Sequence, residues 1–198
     1  MTRKLAMLAL CGVLGLAGAG GLAEPGRAAS ISGYSLPDTY PLAGQTLALN
    51  GLGIRTLTIL RVKVYVAGLY LAQKSRDARA ILASPGPKVV MMQFLHTASK
   101  ADIEKQYREG EAKNCGHGEC APSDKGDFER LIAATPGAAV GDTLTYVCTQ
   151  RGLRVLFNTK QVAEFANPDL ATRILAGFIG ANPPSDDLKA SLLGTAGQ

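Results

Sequence analysis

The fold of this protein is best predicted from the stretch Leu49-Asn50-Gly51-Leu52-Gly53-Ile54-Arg55, followed by Lys63-Val64-Tyr65-Val66-Ala67-Gly68-Leu69-Tyr70-Leu71. β-Branched and aromatic residues are frequent here, as is typical of strands. We interpret the region as strands at 46–50, 55–60 and 62–71, with the two glycines of the first segment serving a turn. Arg55 stands at the head of this apolar hairpin. Because an unpaired buried charge is very costly, we expect it to have a partner, either a carboxylate of the protein or an anionic ligand.

The rest of the sequence predicts an α+β fold. Further predicted elements are strands at 88–95, 143–149 and 153–157, helices at 76–84, 100–114 and 124–134, a helix that begins after Asn167, and a last short helix after Ser185. Ser99 and Asp102 have the spacing of a capping box, and Ile103, Tyr107 and Gly110 predict the inward face of the long helix that follows. Strands and helices do not alternate regularly, which favours an antiparallel sheet with helices layered on one face over a doubly wound parallel sheet.

Several short motifs, taken in order, resemble those of one protein family. The glycine-rich segment with its arginine precedes Lys-x-x-x-x-Gly-x-Tyr-Leu at 63–71. Other matching segments are Ile31-Ser32-Gly33-Tyr34-Ser35-Leu36-Pro37, Lys100 to Asn114, Gly141-Asp142-Thr143-Leu144, and Phe178-Ile179-Gly180 through Leu188–Leu193. In their order and spacing these segments resemble the chalcone isomerase superfamily, most closely its bacterial, signal-bearing branch of chalcone isomerase-like proteins. The resemblance implies an open-faced sandwich, in agreement with the predicted fold class.

The resemblance also implies where a site would lie. Plant chalcone isomerases use an arginine, a threonine, a tyrosine and an asparagine to hold an anionic substrate during ring closure. In this sequence the arginine falls on Arg55 and the threonine on Tyr65. The tyrosine falls on Asp102 and the asparagine on Glu109, which are seven residues apart and share a helix face. Two carboxylates would repel an enolate or phenolate. Three of the four positions therefore depart from the isomerase pattern.

The arginine and the tyrosine resemble the fatty-acid-binding members of the superfamily more closely, in which such a pair holds a carboxylate. A guanidinium and a phenol supply the donors that a carboxylate accepts. We therefore expect a non-catalytic binder of an apolar carboxylate such as a fatty acid, without a cofactor. The candidate ligand-binding residues are Arg55, Tyr65, Asp102 and Glu109.

Two alternatives stay open at this point. One is an isomerase or intramolecular lyase that acts on an enone or phenolic substrate, with Arg55 as its electrostatic anchor. The other is a structural or interaction protein without a ligand, in which Arg55 pairs internally with Asp102 or Glu109.

The relative positions of Arg55 and Tyr65 depend on the loop between their strands. Successive side chains of a strand point to opposite faces of the sheet. The two side chains share a face if the loop holds an odd number of residues, and they lie on opposite faces across a two-residue turn at Leu60-Arg61. The sequence is compatible with both arrangements.

The N-terminal segment has the features of an export signal. Arg3 and Lys4 precede an apolar run that is short for a bilayer span, and small residues follow it. We expect a signal peptide within 1–29, cleaved near residue 23 or 29, one domain over 30–198, and a location in the periplasm or outside the cell. No later apolar run is long enough to cross a membrane.

The charge of the chain does not indicate a nucleic-acid partner. The net charge is +5, and removal of residues 1–23 takes away Arg3 and Lys4 but no acidic residue, which leaves +3. This charge is mild and no dense run of lysine or arginine accompanies it, so we expect no binding to nucleic acid.

Three cysteines remain beyond the predicted signal. Cys115 and Cys120 bracket a short loop, which in an oxidising compartment favours a disulfide between them. A metal site formed by Cys115, His117 and Cys120 is the alternative. We expect the disulfide and no metal. Cys148 lies in an apolar strand and is predicted to be a buried free thiol.

Overall fold

An antiparallel sheet with helices on one face makes up the described part of the chain, which is residues 28–57, 61–115 and 124–196 of a computed structural model. The strands are β1 (Ala28–Ile31), β2 (Tyr34–Pro37), β3 (Thr39–Leu42), β4 (Gln45–Leu57), β5 (Val62–Leu71), β6 (Lys88–Phe94), β7 (Thr143–Thr149), β8 (Gly152–Phe157) and β9 (Lys160–Phe165). The helices are α1 (Ala78–Ala83), α2 (Lys100–Cys115), α3 (Asp124–Ala134), α4 (Pro168–Ile179) and α5 (Asp186–Leu192).

The main sheet has seven strands in the order β3-β4-β5-β6-β7-β8-β9, so every strand pairs with its neighbour in the sequence. All of these pairs are antiparallel, and β1 and β2 form a separate antiparallel hairpin. Four of the described strand connections are two residues long, and in three of them, Ser32-Gly33, Ala43-Gly44 and Asn158-Thr159, both residues have positive φ. Such turns match the twist of the strands they join. The predicted fold class is confirmed.

The two faces of the sheet bury different sets of side chains. On one face, all five helices pack against strand residues that include Leu69, Val90 and Leu153. On the other face lies a smaller cluster around Leu47 and Tyr70, against which the β1–β2 hairpin packs. Among the described residues, none of the helices combines the length and the apolar character that a bilayer span requires.

The glycine-rich segment is the main point at which the predicted elements were wrong. No turn interrupts the chain there, because β4 continues from Gln45 through both glycines to Leu57. The reason is packing. A Cβ atom on Gly51 would lie 2.1 Å from the backbone oxygen of Ser191, and one on Gly53 would lie 2.7 Å from the Ser191 Cβ. The glycines therefore let α5 approach the strand closely.

Cys148 is a buried free thiol, as predicted. It faces Lys88 across the β6–β7 pair. Burial raises the pKa of the Cys148 thiol from 9.0 to about 12, and the Lys88 charge opposes this shift. The predicted disulfide and its metal alternative stay predictions, because His117 and Cys120 lie outside the described residues.

The buried thiol leads to a prediction about reactivity. Alkylation requires the thiolate, and a pKa of about 12 instead of 9.0 lowers the thiolate population at pH 8 by roughly a thousandfold. We expect iodoacetamide to label Cys148 at least about a hundredfold more slowly in the native protein than in urea. Peptide-level mass spectrometry measures this rate separately from the other cysteines. Equal labelling in both states would show that the thiol is accessible and ionised.

Candidate ligand-binding site

A cavity of about 620 Å³ lies between the helix-bearing face of the sheet and the helices α2, α3 and α4. Its volume is typical of small-molecule sites. Much of its wall is apolar, with contributions from Met92, Phe94, Phe128, Leu144, Ile174 and Phe178. Arg55, Tyr65, Asp102 and Glu109 all border this one cavity. The four candidate residues are therefore brought to the same place, although in two different environments.

Arg55 and Tyr65 form the strand side of the site. They are direct cross-strand partners on β4 and β5, so their side chains share a face of the sheet. The loop between the paired residues Leu57 and Val62 holds four residues, an even number, which alone would place Arg55 and Tyr65 on opposite faces. A β-bulge at Val64 supplies the additional residue that brings them together.

A second bulge, at Asn50, directs Arg55 towards the helices. The strand residues before it, Leu47 and Leu49, belong to the cluster on the other face. After the bulge, Gly51 pairs with Leu69 and therefore faces the helices, and Arg55 shares this orientation. Asn50 is fixed in the bulge because its side-chain amide donates to the backbone oxygens of Ser75 and Leu192, at 2.9 and 2.8 Å. The bulge thus determines that the arginine points into the cavity.

Arg55 lacks an acidic partner within the described part of the chain. One of its terminal nitrogens donates to the backbone oxygen of Thr56 at 2.8 Å, and none of the ion pairs involves it. Its neighbour Tyr65 is held neutral, because burial raises the pKa of the phenol even though the charge of Arg55 opposes that shift. The pair therefore presents a guanidinium and an uncharged hydroxyl to the cavity, which suits an anionic group.

Asp102 and Glu109 stand at the rim of the cavity, with their side chains exposed to solvent. The Asp102 carboxylate accepts from the backbone N–H and the hydroxyl of Ser99, at 2.9 and 2.6 Å, and these hydrogen bonds lower its pKa. Glu109 lies 3.9 Å from the Lys105 ammonium. The idea that Arg55 pairs with either carboxylate is wrong, since no ion pair among the described residues joins them. Asp102 is instead bonded to Ser99, directly before α2, in the capping role predicted for it.

Two tyrosines extend the site beyond the residues predicted to bind a ligand. Tyr107 on α2 and Tyr146 on β7 both border the cavity, and their hydroxyls are hydrogen-bonded to each other. Tyr107 also contacts the hydroxyl of Thr135 at 3.2 Å. Helical spacing predicted that Tyr107 lies on the inward face of α2, but the resemblance to chalcone isomerases assigned no function to this position. Tyr146 lies 39 residues further along the chain, and no local signal links the two.

These features define a class of structure: an antiparallel α+β sandwich that encloses an apolar cavity with a cationic anchor on one wall. A sequence profile of the chalcone isomerase-like family matches residues 28–194. The chain belongs to the chalcone isomerase-like family. Whether it belongs to the bacterial exported branch stays a prediction.

Comparison with individual proteins adds evidence about the fold. No curated protein matches the sequence significantly. Among solved structures, a fatty-acid binding protein of Arabidopsis thaliana superimposes with a TM-score of 0.69 at 14% sequence identity. The match covers 84% of this chain and 96% of that protein. At this identity the likeness supports the shared fold, a curled antiparallel sheet with helices on one face.

Proposed function

We propose that this protein is a non-catalytic binder of an apolar carboxylate such as a fatty acid. The observation that carries the proposal is the cross-strand pair of Arg55 and Tyr65 on the wall of an apolar cavity, with no carboxylate of the described chain paired to the arginine. A guanidinium that is half-buried without a counter-ion is costly. A ligand carboxylate removes this cost by accepting hydrogen bonds from the guanidinium and the phenol together.

The walls of the cavity suit the remainder of such a ligand. Phe94 packs edge-on against Tyr65, with ring centroids 6.3 Å apart, so apolar surface begins directly beside the anchor. Further apolar groups, including Leu144 and Phe178, continue the lining. Burial of an acyl chain against them is favourable by roughly 0.8 kcal/mol for each CH₂ group removed from water. The structural neighbour is itself described as a fatty-acid binding protein, which supports the same ligand class.

The residues at the positions that are catalytic in chalcone isomerases support binding without catalysis. The two helix positions at which isomerases carry a tyrosine and an asparagine hold Asp102 and Glu109, whose carboxylates face solvent at the rim. Neither group donates a hydrogen bond to a developing negative charge while it is ionised. Arg55 alone binds an anion but does not transfer protons.

Native mass spectrometry of the protein purified from its own host tests this proposal. We expect a long-chain carboxylic acid to co-purify and to be released by denaturation. Turnover of chalcones by the purified protein would favour the isomerase alternative. Absence of both a bound lipid and any turnover, with no thermal stabilisation by added fatty acid, would favour a protein without a ligand.

We also propose that the protein acts after export, in the periplasm or outside the cell, on the basis of the charged and apolar pattern at its N-terminus. N-terminal sequencing of the protein from its host tests this point. The mature chain is expected to begin near residue 24 or 30, and a chain that retains Met1 would contradict it.

A further inference from the structure

The hydroxyl of Tyr146 is a polar feature of the cavity that carboxylate binding leaves unused. Tyr146 is 3% exposed and stands on β7, two strands away from Tyr65 in the sheet. Its ring lies 6.0 Å from that of Phe178, centroid to centroid, within the apolar lining. Burial raises its pKa well above the usual value, and the Tyr107 hydroxyl adds to the shift, so the phenol is neutral.

The direction of the hydrogen bonds around Tyr146 follows from counting protons. Thr135 donates its one hydroxyl proton to the backbone oxygen of Leu131, at 2.9 Å. The Thr135 oxygen must therefore accept from Tyr107, whose own proton is then used. Tyr107 must in turn accept from Tyr146. The Tyr146 hydroxyl therefore donates its proton to Tyr107. Its oxygen can accept a hydrogen bond from a ligand in the cavity, but it has no proton left to donate.

The opposite holds at the anchor. Arg55 has donors only. The Tyr65 hydroxyl has no hydrogen-bond partner among the described residues, so its proton is available. The cavity therefore has a donor pole, formed by Arg55 and Tyr65, and an acceptor pole, formed by the oxygen of Tyr146. A carboxylate group matches the first pole. The second requires a hydrogen-bond donor.

We propose that the ligand is an apolar carboxylic acid that carries a hydroxyl group on its chain. The inference rests on the proposed function and specifies the ligand class for the same site. The carboxylate binds Arg55 and Tyr65, and the chain hydroxyl donates to Tyr146. A keto group in the same place is disfavoured, because its oxygen only accepts hydrogen bonds and would face the Tyr146 oxygen, which is also an acceptor. The keto oxygen would lose its hydrogen bonds to water and gain none in the cavity.

Binding measurements by calorimetry with stearic acid, a series of monohydroxystearic acids and the matching ketostearic acids test this proposal. For wild type, we expect the best hydroxy acid of the series to bind about tenfold more tightly than the keto acid with oxygen at the same carbon. Thr135→Val provides the decisive variant, since Thr135 is buried outside the cavity lining. Removal of its oxygen leaves the Tyr107 proton without an acceptor there, so Tyr107 turns to Tyr146 and the Tyr146 proton is released towards the ligand.

The keto acid should then gain affinity, and the hydroxy-to-keto ratio should fall to near one. Tyr107→Phe should produce the same change, which provides a second route if Thr135→Val folds poorly. Tyr40→Phe is the matched control, because this tyrosine packs on the opposite face of the sheet, and it should keep the wild-type ratio. Equal binding of hydroxy and keto acids by wild type, with stearic acid bound, would overturn this proposal and leave the proposed function intact. Failure to bind any of the acids would overturn both.

Discussion

Replacement of Arg55 with alanine is expected to weaken the binding of a long-chain fatty acid by about 2–5 kcal/mol, the range for removal of one partner of a buried charge pair. Among the described residues, the guanidinium has one hydrogen bond, to the backbone oxygen of Thr56, and its other donors remain for a ligand. Loss of these donors leaves Tyr65 as the remaining member of the strand-side pair that binds the ligand carboxylate. Calorimetric titration with palmitic or stearic acid measures the change in the dissociation constant.

Arg154→Ala is the matched control for this experiment. Arg154 also lies on a strand of the main sheet, but its cross-strand partner is Val147, which belongs to the cluster on the face away from the helices. The substitution removes the same charge from the opposite side of the sheet. Fatty-acid affinity should remain at the wild-type value. If Arg55→Ala also retained wild-type affinity, the carboxylate would have to bind elsewhere, and the proposed role of Arg55 would be wrong.

The ligand-free protein should respond to Arg55→Ala in a distinctive way. A half-buried cation without an acidic partner costs desolvation energy, so its removal should leave the melting temperature unchanged or raise it. A purely structural arginine would behave in the opposite manner, because its loss would lower stability and no ligand affinity would exist to change. Melting curves of wild type and variant, with and without fatty acid, separate these two cases.

The Arg55–Tyr65 pair shows what could be predicted from the sequence and where the prediction stopped. Arg55 was a candidate ligand-binding residue because it is a cation in an apolar hairpin, and Tyr65 was a candidate because the family resemblance places a site residue there. Whether the two side chains lie on the same face of the sheet depended on whether the number of residues between them was odd or even. The loop between Leu57 and Val62 has an even number of residues, and the bulge at Val64 adds the residue that places both side chains on one face. A bulge leaves no clear mark in a run of apolar residues, so the register could not be derived.

The edges of the main sheet were missed for a related reason. β3 and β9 are the outermost strands, and neither had been predicted. An edge strand has one neighbour and a mixed environment, so its pattern is weak, and β3 contains Pro41, which argues against a central strand. By contrast, the observed bounds of α3 and β7 agree with the prediction, because both have clear periodic or continuous apolar patterns.

The hydroxyl chain from Tyr146 to Thr135 lay beyond sequence reasoning altogether. Its members come from β7, α2 and the residue that follows α3, and the Tyr107–Tyr146 contact spans 39 residues. Each tyrosine alone is ordinary core packing. Their meaning arises from the proton count along the chain, which requires the contacts themselves.

The glycines of β4 were recognised from the sequence but assigned the wrong role, and their actual role explains how the cavity is bounded. Gly51, Gly53 and Arg55 all face the helices. The two glycines admit α5 into direct contact with the strand. At Arg55 the strand instead borders the open cavity. Close packing thus ends where the binding site begins, and both depend on the order of these residues in one strand.

Gly51→Ala is expected to lower the free energy of unfolding by at least about 3 kcal/mol, the upper end of the usual cost of overpacking. The added Cβ would lie 2.1 Å from the backbone oxygen of Ser191 and 2.5 Å from that of Leu192. These are backbone atoms, so no side-chain rotation relieves the clash, and α5 must move away from β4. Such a movement exposes Leu188 and Leu192, both fully buried, and breaks the hydrogen bond from Asn50 to Leu192.

Urea unfolding of Gly51→Ala beside Gly126→Ala provides the measurement and its control. Gly126 lies in α3, and a Cβ atom there would meet no other atom within 4 Å. Because alanine favours a helix over glycine, Gly126→Ala should stabilise the protein by up to about 1 kcal/mol. The same chemical change should therefore act in opposite directions at the two positions. Equal stability of Gly51→Ala and wild type would show that α5 does not depend on direct contact with β4, and that the glycines serve some other purpose.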